Sequence, residues 1–113
     1  MTYDICITRA AEKDLRSAAD YIEYVLLNPQ AADALLDDVE AAIGELSSFP
    51  EKHAPVDDAV LKSWGVRFVT VGNYIAFYTV SEAEHKVYVI RFLYGKRNWV
   101  NVLKQGFPSR SVR

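Results

Sequence analysis

The most informative segment of the chain is Val87-Tyr88-Val89-Ile90-Arg91-Phe92-Leu93-Tyr94-Gly95-Lys96-Arg97-Asn98-Trp99. Residues 87–94 are β-branched or aromatic at almost every position, which predicts a largely buried strand. Lys96, Arg97 and Trp99 follow it and have no evident role in such a strand. They either cap a following helix or present charge and an aromatic surface to a polyanion or a protein partner.

Two further strands precede this segment, at about residues 65–71 and 74–80, and the last strand covers about 86–94. Gly72 and Asn73 supply a tight turn between the first pair, and residues 81–85 form a longer polar turn between the second. Closely spaced strands joined by such turns predict an antiparallel meander.

The first half of the chain predicts a short strand at residues 2–8 and then two helices. The first helix covers about 10–26, with Thr8 as its N-cap and an apolar face of Leu15, Ala18, Ile22 and Val25/Leu26. Asn28 and Pro29 open the second helix, which runs to about residue 47. Its apolar stripe is Ala32, Leu35, Leu36, Val39, Ile43 and Leu46. A short helix at about 98–105 and a basic tail at about 107–113 complete the chain.

These elements predict one domain over residues 1–113, with a two-layer α+β fold. An antiparallel sheet, made of the N-terminal strand and the C-terminal three-strand meander, is covered on one face by the helical hairpin. The other face is then left with exposed apolar surface. In the last strand Val87, Val89, Arg91 and Leu93 share one side, so the arginine needs a partner there. It has either a structural ion pair with Asp14 or Glu12, or a functional role.

Composition excludes several classes of protein. The 113 residues include one cysteine, Cys6, which cannot form an internal disulfide. Histidine and cysteine do not occur at metal-ligand spacing, so neither a metal nor a cofactor is expected. A signal peptide and a membrane-spanning apolar run are also missing, which predicts a cytoplasmic protein without a membrane partner.

The formal net charge of −2 conceals a strong asymmetry between the two halves. Residues 1–59 carry four basic and thirteen acidic side chains, a net charge of −9, and residues 60–113 carry nine basic and two acidic ones, a net charge of +7. This asymmetry points to an anionic partner on one side of the molecule. The alternative is that acidic helices simply cover a basic sheet.

The sequence resembles the RelE/ParE superfamily of bacterial toxins from type II toxin–antitoxin modules, and lies closer to the ParE-like, plasmid-stabilisation side. The resemblance covers nearly the whole chain and rests on the order and spacing of several short segments. They are residues 10–15, Tyr21-Ile22, residues 28–32, Leu46-Ser47-Ser48-Phe49-Pro50, Gly65-Val66-Arg67, residues 73–78 and the closing residues 91–99. It implies the same fold, and a role in growth arrest.

The resemblance leaves two mechanisms open, so whether the protein is an enzyme is undecided. One branch of the superfamily consists of ribosome-dependent mRNA endoribonucleases (mRNA interferases), which need no metal. If the chain is a nuclease, Arg67 and Arg97 are the matching catalytic residues. Ile75 and Leu103, however, stand where many of the nucleases carry a basic and an aromatic residue. We therefore favour a DNA gyrase inhibitor of the ParE type, or another non-nucleolytic toxin. A binding domain that has kept the fold without toxicity is a further alternative.

The resemblance also implies partners. A cognate acidic antitoxin is expected to hold the toxin inactive, the target is DNA gyrase or the ribosome with mRNA, and operator DNA is contacted only through the antitoxin. The residues expected to bind target or antitoxin are Arg91, Tyr94, Lys96, Arg97 and Trp99. Trp99 has a structural alternative, as an anchor of the last helix in the core.

Overall fold

A computed structural model describes residues 2–106, and its central feature is a four-stranded sheet. The strands are β1 (Asp4–Ile7), β2 (Arg67–Val71), β3 (Tyr74–Ser81) and β4 (Lys86–Tyr94), in the spatial order β1-β4-β3-β2. The meander β2-β3-β4 is antiparallel, as predicted, with Gly72 at a φ of 60° in the first turn. β1 pairs with β4 in the parallel direction, so the sheet is mixed rather than wholly antiparallel.

The helical hairpin is also as predicted, apart from its tip. α1 (Arg9–Asp20) begins at Thr8, whose Oγ1 accepts a hydrogen bond from the Ala11 N–H at 3.2 Å. α2 (Pro29–Glu45) begins at Asn28, whose Oδ1 accepts from the Ala31 N–H at 3.1 Å. Each side chain satisfies one of the amide donors that a helix start leaves free. Between the two helices, residues Tyr21–Val25 form a single π-helical turn.

A β-bulge interrupts the pairing of β4. Phe77 lies opposite Arg91 and Tyr78 opposite Val89, which leaves Ile90 as the extra residue. Val87, Val89 and Phe92 therefore pack in the core under the hairpin, while Leu93 packs on the opposite face of the sheet. The predicted alternation of β4, with residues 87, 89, 91 and 93 on one side, is wrong from residue 91 onward, because an inserted residue breaks a period of two.

β1 pairs with β4 only as far as Val89, and α1 then covers the free edge of β4. The Thr8 hydroxyl donates to the Ile90 carbonyl at 3.0 Å, and Asp14 Oδ2 accepts from the Phe92 N–H at 3.1 Å. Side chains of α1 thus replace the missing strand, and an unpaired edge would otherwise invite pairing with another chain.

The predicted α+β fold is confirmed, but the second face of the sheet, expected to be left exposed, is covered as well. α3 (Ala59–Ser63), which the sequence did not predict, and α4 (Trp99–Gly106) lie over it. Their apolar side chains join the sheet in a second core. Its buried members are Val56, Leu61, Val66, Phe77, Leu93 and Leu103. The expected exposed apolar face is therefore absent from residues 2–106, and the predicted basic tail lies outside the described residues.

No helix within residues 2–106 is long and apolar enough to cross a membrane. The same residues contain no cluster of three or more histidine, cysteine or acidic side chains suited to a metal ion.

Candidate functional site

An aromatic groove lies where the hairpin meets the ends of β3 and β4. Its volume is about 540 Å³, and it is lined by Tyr21, Ile22, Leu26, Asn73, Tyr74 and Tyr94. Tyr74 forms the floor, since its ring stacks on Phe92 with centroids 5.1 Å apart and planes 7° apart. Tyr94 meets Tyr74 edge-on at 5.6 Å. These contacts fix the aromatic walls before any ligand arrives.

The surroundings of Tyr74 in the groove affect the ionisation of its phenol. Burial raises the pKa of Tyr74 above its ordinary value, and the neighbouring hydroxyls of Tyr94 and Tyr21 raise it further. Tyr74 is therefore neutral at physiological pH. Tyrosine rings with polar hydroxyls, as in this groove, suit the binding of aliphatic or aromatic side chains with a polar edge.

A smaller hollow adjoins the groove and brings Arg97 to the site. Its volume is about 260 Å³, and its lining includes Asp14, Ser17, Tyr74, Tyr94 and Arg97. Arg97 is exposed, and its backbone N–H donates to the Tyr94 carbonyl at 3.0 Å, which holds the turn after β4. The structure thus places Tyr94 and Arg97, both predicted from the sequence, on one surface, with exposed Lys96 next to them in the chain.

Arg91 forms an ion pair with Asp14. Its Nε donates to Oδ2 at 2.6 Å and its Nη2 to Oδ1 at 2.9 Å, and both side chains are mostly buried. The hydrogen bonds to Asp14 raise the pKa of Arg91. Glu12, the other partner considered, lies instead 3.9 Å from Arg16 on the exposed side of α1. Asp14 neutralises Arg91, so little of its charge is left for an external ligand.

Trp99 faces the second core rather than the groove. Its ring lies 5.0 Å from that of Phe77, at an angle of 39°, among the apolar side chains of α4. Ile75 packs against the same core, and Leu103 is buried within it. The two positions at which many nucleases of the superfamily carry polar or aromatic groups therefore serve packing in this chain.

Arg67 lines neither the groove nor the hollow that contains Arg97. It begins β2 opposite Tyr78, four residues along β3 from Tyr74, which pairs with Tyr94. Its Nη1 donates to the carbonyls of His53 at 2.6 Å and Glu51 at 3.3 Å, and so fastens the loop that precedes α3. Arg67 and Arg97, the residues proposed for a nuclease, are not brought together.

The hairpin tip, residues 21–27, was not recognised in the sequence as a surface. Tyr21, Tyr24, Val25, Leu26 and Leu27 are between 51% and 80% exposed. Val25 and Leu26 were predicted to continue the buried stripe of α1, and this is wrong because the π-helical turn rotates them away from the sheet. Leu27 is 80% exposed at a φ of 56°, a conformation that favours glycine or asparagine. One feature of the sequence could have indicated this exposed tip: the apolar residues 25–27 stand directly before Asn28, where the second helix begins.

A second titratable cluster occupies the far end of the sheet. The Tyr3 hydroxyl donates to Glu82 Oε1 at 2.8 Å, and the His85 ring stacks on Tyr3 at 4.3 Å. The hydrogen bond from Tyr3 lowers the pKa of Glu82, while a hydrogen bond with Glu82 raises the pKa of Glu51. These contacts join the β3–β4 turn to β1 and to the turn at residue 51.

Comparison with known proteins identifies the class to which this fold and surface belong. Residues 5–99 match the family described as ParE toxin of type II toxin–antitoxin system, parDE. The chain therefore belongs to the ParE toxin family, and the predicted membership of the RelE/ParE superfamily is confirmed. It is a toxin of a type II toxin–antitoxin system. No curated protein matches the chain.

Solved structures share its fold. A structure described as the chromosomal ParDE toxin–antitoxin system from P. aeruginosa has 22% identity and a TM-score of 0.66, with 81% of this chain and 95% of that chain covered. The toxin–antitoxin complex RelBE2 from Mycobacterium tuberculosis has 23% identity and a TM-score of 0.58, with 83% and 99% covered. The α+β fold is thus common to proteins named for either branch of the superfamily.

Proposed function

We propose that this toxin arrests growth by a ParE-like mechanism, poisoning DNA gyrase rather than cleaving RNA. The observation that carries the proposal is that Arg67 and Arg97 do not converge on one site, since Arg67 holds the loop before α3 and does not line the hollow that contains Arg97. Metal-independent RNA cleavage needs a base, an acid and cations that converge on a single phosphate. Arg67 is used to hold a loop, and Arg97 lies beside Tyr74 and Tyr94.

The groove and its rim suit recognition of a protein. Tyr94 supplies an aromatic surface and Arg97 a guanidinium that forms no ion pair within residues 2–106. Both residue types are enriched among the side chains that dominate protein interfaces. Lys96 adds a second exposed cation beside them. We assign target binding to these three residues. Arg91 and Trp99, which the sequence also suggested, make internal contacts instead, Arg91 with Asp14 and Trp99 with Phe77.

We further propose that a cognate acidic antitoxin holds the toxin inactive in the cytoplasm. The two structural neighbours come from toxin–antitoxin systems, as their descriptions state. The cationic rim at Lys96 and Arg97 complements an acidic segment that folds on binding. Operator DNA is then contacted through the antitoxin alone, and a role in plasmid stabilisation follows from the same pairing.

Induced expression with parallel assays of supercoiling and translation tests the mechanism. The gyrase proposal expects filamentation, DNA-damage signalling and inhibited supercoiling, while a translating extract stays active. Cleaved mRNA in that extract would instead establish the ribosome-dependent nuclease. If both assays are unaffected while antitoxin still binds, the chain is a binding domain that has kept the fold.

Arg97→Ala sharpens the test, with Lys62→Ala as its matched control. Lys62 is an exposed cation on α3, so its loss changes net charge equally but on the other face of the sheet. We expect Arg97→Ala to lower gyrase inhibition about tenfold or more, with an unchanged melting temperature. Equal losses in both variants would show a general charge effect and contradict the assigned surface.

A further inference from the structure

The end of the first helical segment departs from the pattern that buries the rest of it. Ala11 and Ala18 are 2% and 8% exposed and stand a heptad apart. One heptad along an α-helix brings a side chain back to within about 20° of the same direction. Val25 is the next residue in this series, and Leu26 follows the buried Ala19 by the same interval, so both would project toward the protein interior. They are instead 62% and 55% exposed.

The π-helical turn at Tyr21–Val25 causes this departure. The Leu26 N–H donates at 3.0 Å to the Tyr21 carbonyl, five residues back, whereas an α-helix would bond it to the residue four back. The wider turn rotates the side chains that follow it. Leu27 then takes a left-handed φ of 56°, which leucine rarely adopts. The tip thus combines exposed apolar side chains with local backbone strain, a combination typical of segments that switch between two arrangements.

The aromatic groove offers the space that a rotated tip would fill. Ile22 and Leu26 form one wall of its 540 Å³, and Tyr74 forms the floor. Val25 does not belong to this lining, because the π-helical turn directs it to solvent. In an α-helical register Val25 would lie on the same side of the helix as Ala18 and Ile22, and so would enter the groove above Tyr74.

We propose that the hairpin tip is a lid with two registers. In the open register, which the structure describes, the π-helical turn leaves the groove accessible. In the closed register residues 21–26 continue α1 as a regular α-helix, Val25 fills the groove, and Leu27 is released from its left-handed φ. A partner that enters the groove binds the open register alone, so the lid determines what fraction of the toxin is ready to bind. The inference does not depend on the identity of that partner.

NMR relaxation dispersion and saturation transfer on the full-length chain test the proposal, since helix register shifts take microseconds to milliseconds. We expect exchange at residues 21–27 and at Tyr74, with a second state populated to about 0.1–10%. In that state the ring current of Tyr74 should shift the Val25 methyl resonances. A tip that merely frays would instead give methyl shifts of an unfolded chain.

Two substitutions of Leu27 should move the population of the closed register in opposite directions. Asparagine tolerates a left-handed φ, so Leu27→Asn should lower this population about fivefold. Valine is β-branched and tolerates that φ poorly, so Leu27→Val should raise the population by a similar factor. Phe49→Val is the matched control, because Phe49 is 71% exposed at an ordinary φ of −138° and lies outside the tip and the groove.

Deletion of Glu23 should abolish the exchange. It removes the extra residue that the π-helical turn accommodates, so a regular α-helix then reaches the present orientation of Leu26 and Leu27 and no second register is left. A melting temperature close to that of wild type shows that the deletion variant is folded.

Four results would overturn the proposal. The first is a wild-type tip without exchange, and the second is exchange that persists in the folded deletion variant. The third is a second state in which the Val25 methyl groups have the shifts of an unfolded chain, which would show fraying. The fourth is a population that Leu27→Val and Phe49→Val change equally.

Discussion

Arg91 and Asp14 form a two-pronged ion pair between β4 and α1, with Nε 2.6 Å from Oδ2 and Nη2 2.9 Å from Oδ1. Asp14 Oδ2 also accepts the Phe92 N–H at 3.1 Å. The Asp14 carboxylate therefore neutralises Arg91 and also accepts a backbone hydrogen bond from the part of β4 that β1 does not reach. The groove depends on this contact, since Phe92 supports the ring of Tyr74.

Asp14→Asn is expected to lower the free energy of unfolding by about 2 kcal/mol, because Arg91 loses its counter-charge in a mostly buried place. Urea denaturation measures this change. Glu12→Gln is the control, since its pair with Arg16 is exposed on both sides and should contribute less than about 0.5 kcal/mol. Similar effects of the two variants would contradict a structural role for Asp14.

The free energy of unfolding should fall at alkaline pH, because Tyr78 ionises more easily in the unfolded chain than in the folded one. Its side chain is fully buried, its hydroxyl donates to the Pro50 carbonyl, and burial raises the pKa of Tyr78 to about 12. In the unfolded chain the phenol ionises near pH 10. Between those values the unfolded state binds fewer protons than the folded one, so unfolding becomes easier as pH rises.

Denaturation midpoints of wild type and Tyr78→Phe at several pH values between about 9 and 12 measure the effect of this group. Near pH 9 the variant should be less stable by about 1 kcal/mol, because the Pro50 carbonyl loses its donor. The advantage of the wild type should then shrink steadily toward pH 12. Parallel pH curves for the two proteins would show that Tyr78 does not titrate on unfolding in this range.

Leu27→Asn should stabilise the folded chain, an unusual result for an aliphatic-to-polar change. The left-handed conformation costs leucine about 1 kcal/mol and asparagine less, and the 80% exposed side chain gives up little packing. A rise in melting temperature of about 3–4 °C is expected. Val25→Asn, at an exposed position with an ordinary φ, should give no rise.

Trp99→Ala should mainly lower the stability of the fold, whereas Tyr94→Ala should mainly lower toxicity. Trp99→Ala removes a half-buried anchor of α4 from Phe77 and should cost about 2 kcal/mol of stability. Tyr94→Ala changes a 42% exposed residue and should leave stability nearly intact while it weakens toxicity. Thermal unfolding alongside the supercoiling assay separates the two effects, and a Tyr94 variant that unfolds would contradict the assignment.

The strands, the helical hairpin and its caps could be predicted because each depends on neighbouring residues. Thr8 and Asn28 are residue types that favour the N-cap of a helix, and Gly72 is a residue type that favours a turn. The direction of β1 could not be read in the same way, since it depends on a pairing with residues about 80 positions away. The bulge at Ile90 could not be predicted either, because the β-branched and aromatic residues of β4 suit both faces of a sheet.

The candidate site was predicted in part. Tyr94 and Arg97 were found because they follow the last strand directly, and Arg91 was given its structural partner, Asp14, as one of two choices. The groove itself was missed, because Tyr21 and Tyr74 come together only when the hairpin is packed on the sheet. Whether Arg67 and Arg97 lie side by side or far apart is equally a matter of sheet register, which their spacing in the sequence does not contain.

The parallel pairing of β1 with β4 has a consequence for how the protein is made. The four residues of β1 are synthesised about 80 residues before their partners, residues 86–89. Until then α1 has no β4 edge to cover and the groove has no Tyr94. The groove can therefore form only after β4 has been synthesised, long after the hairpin that provides its other wall.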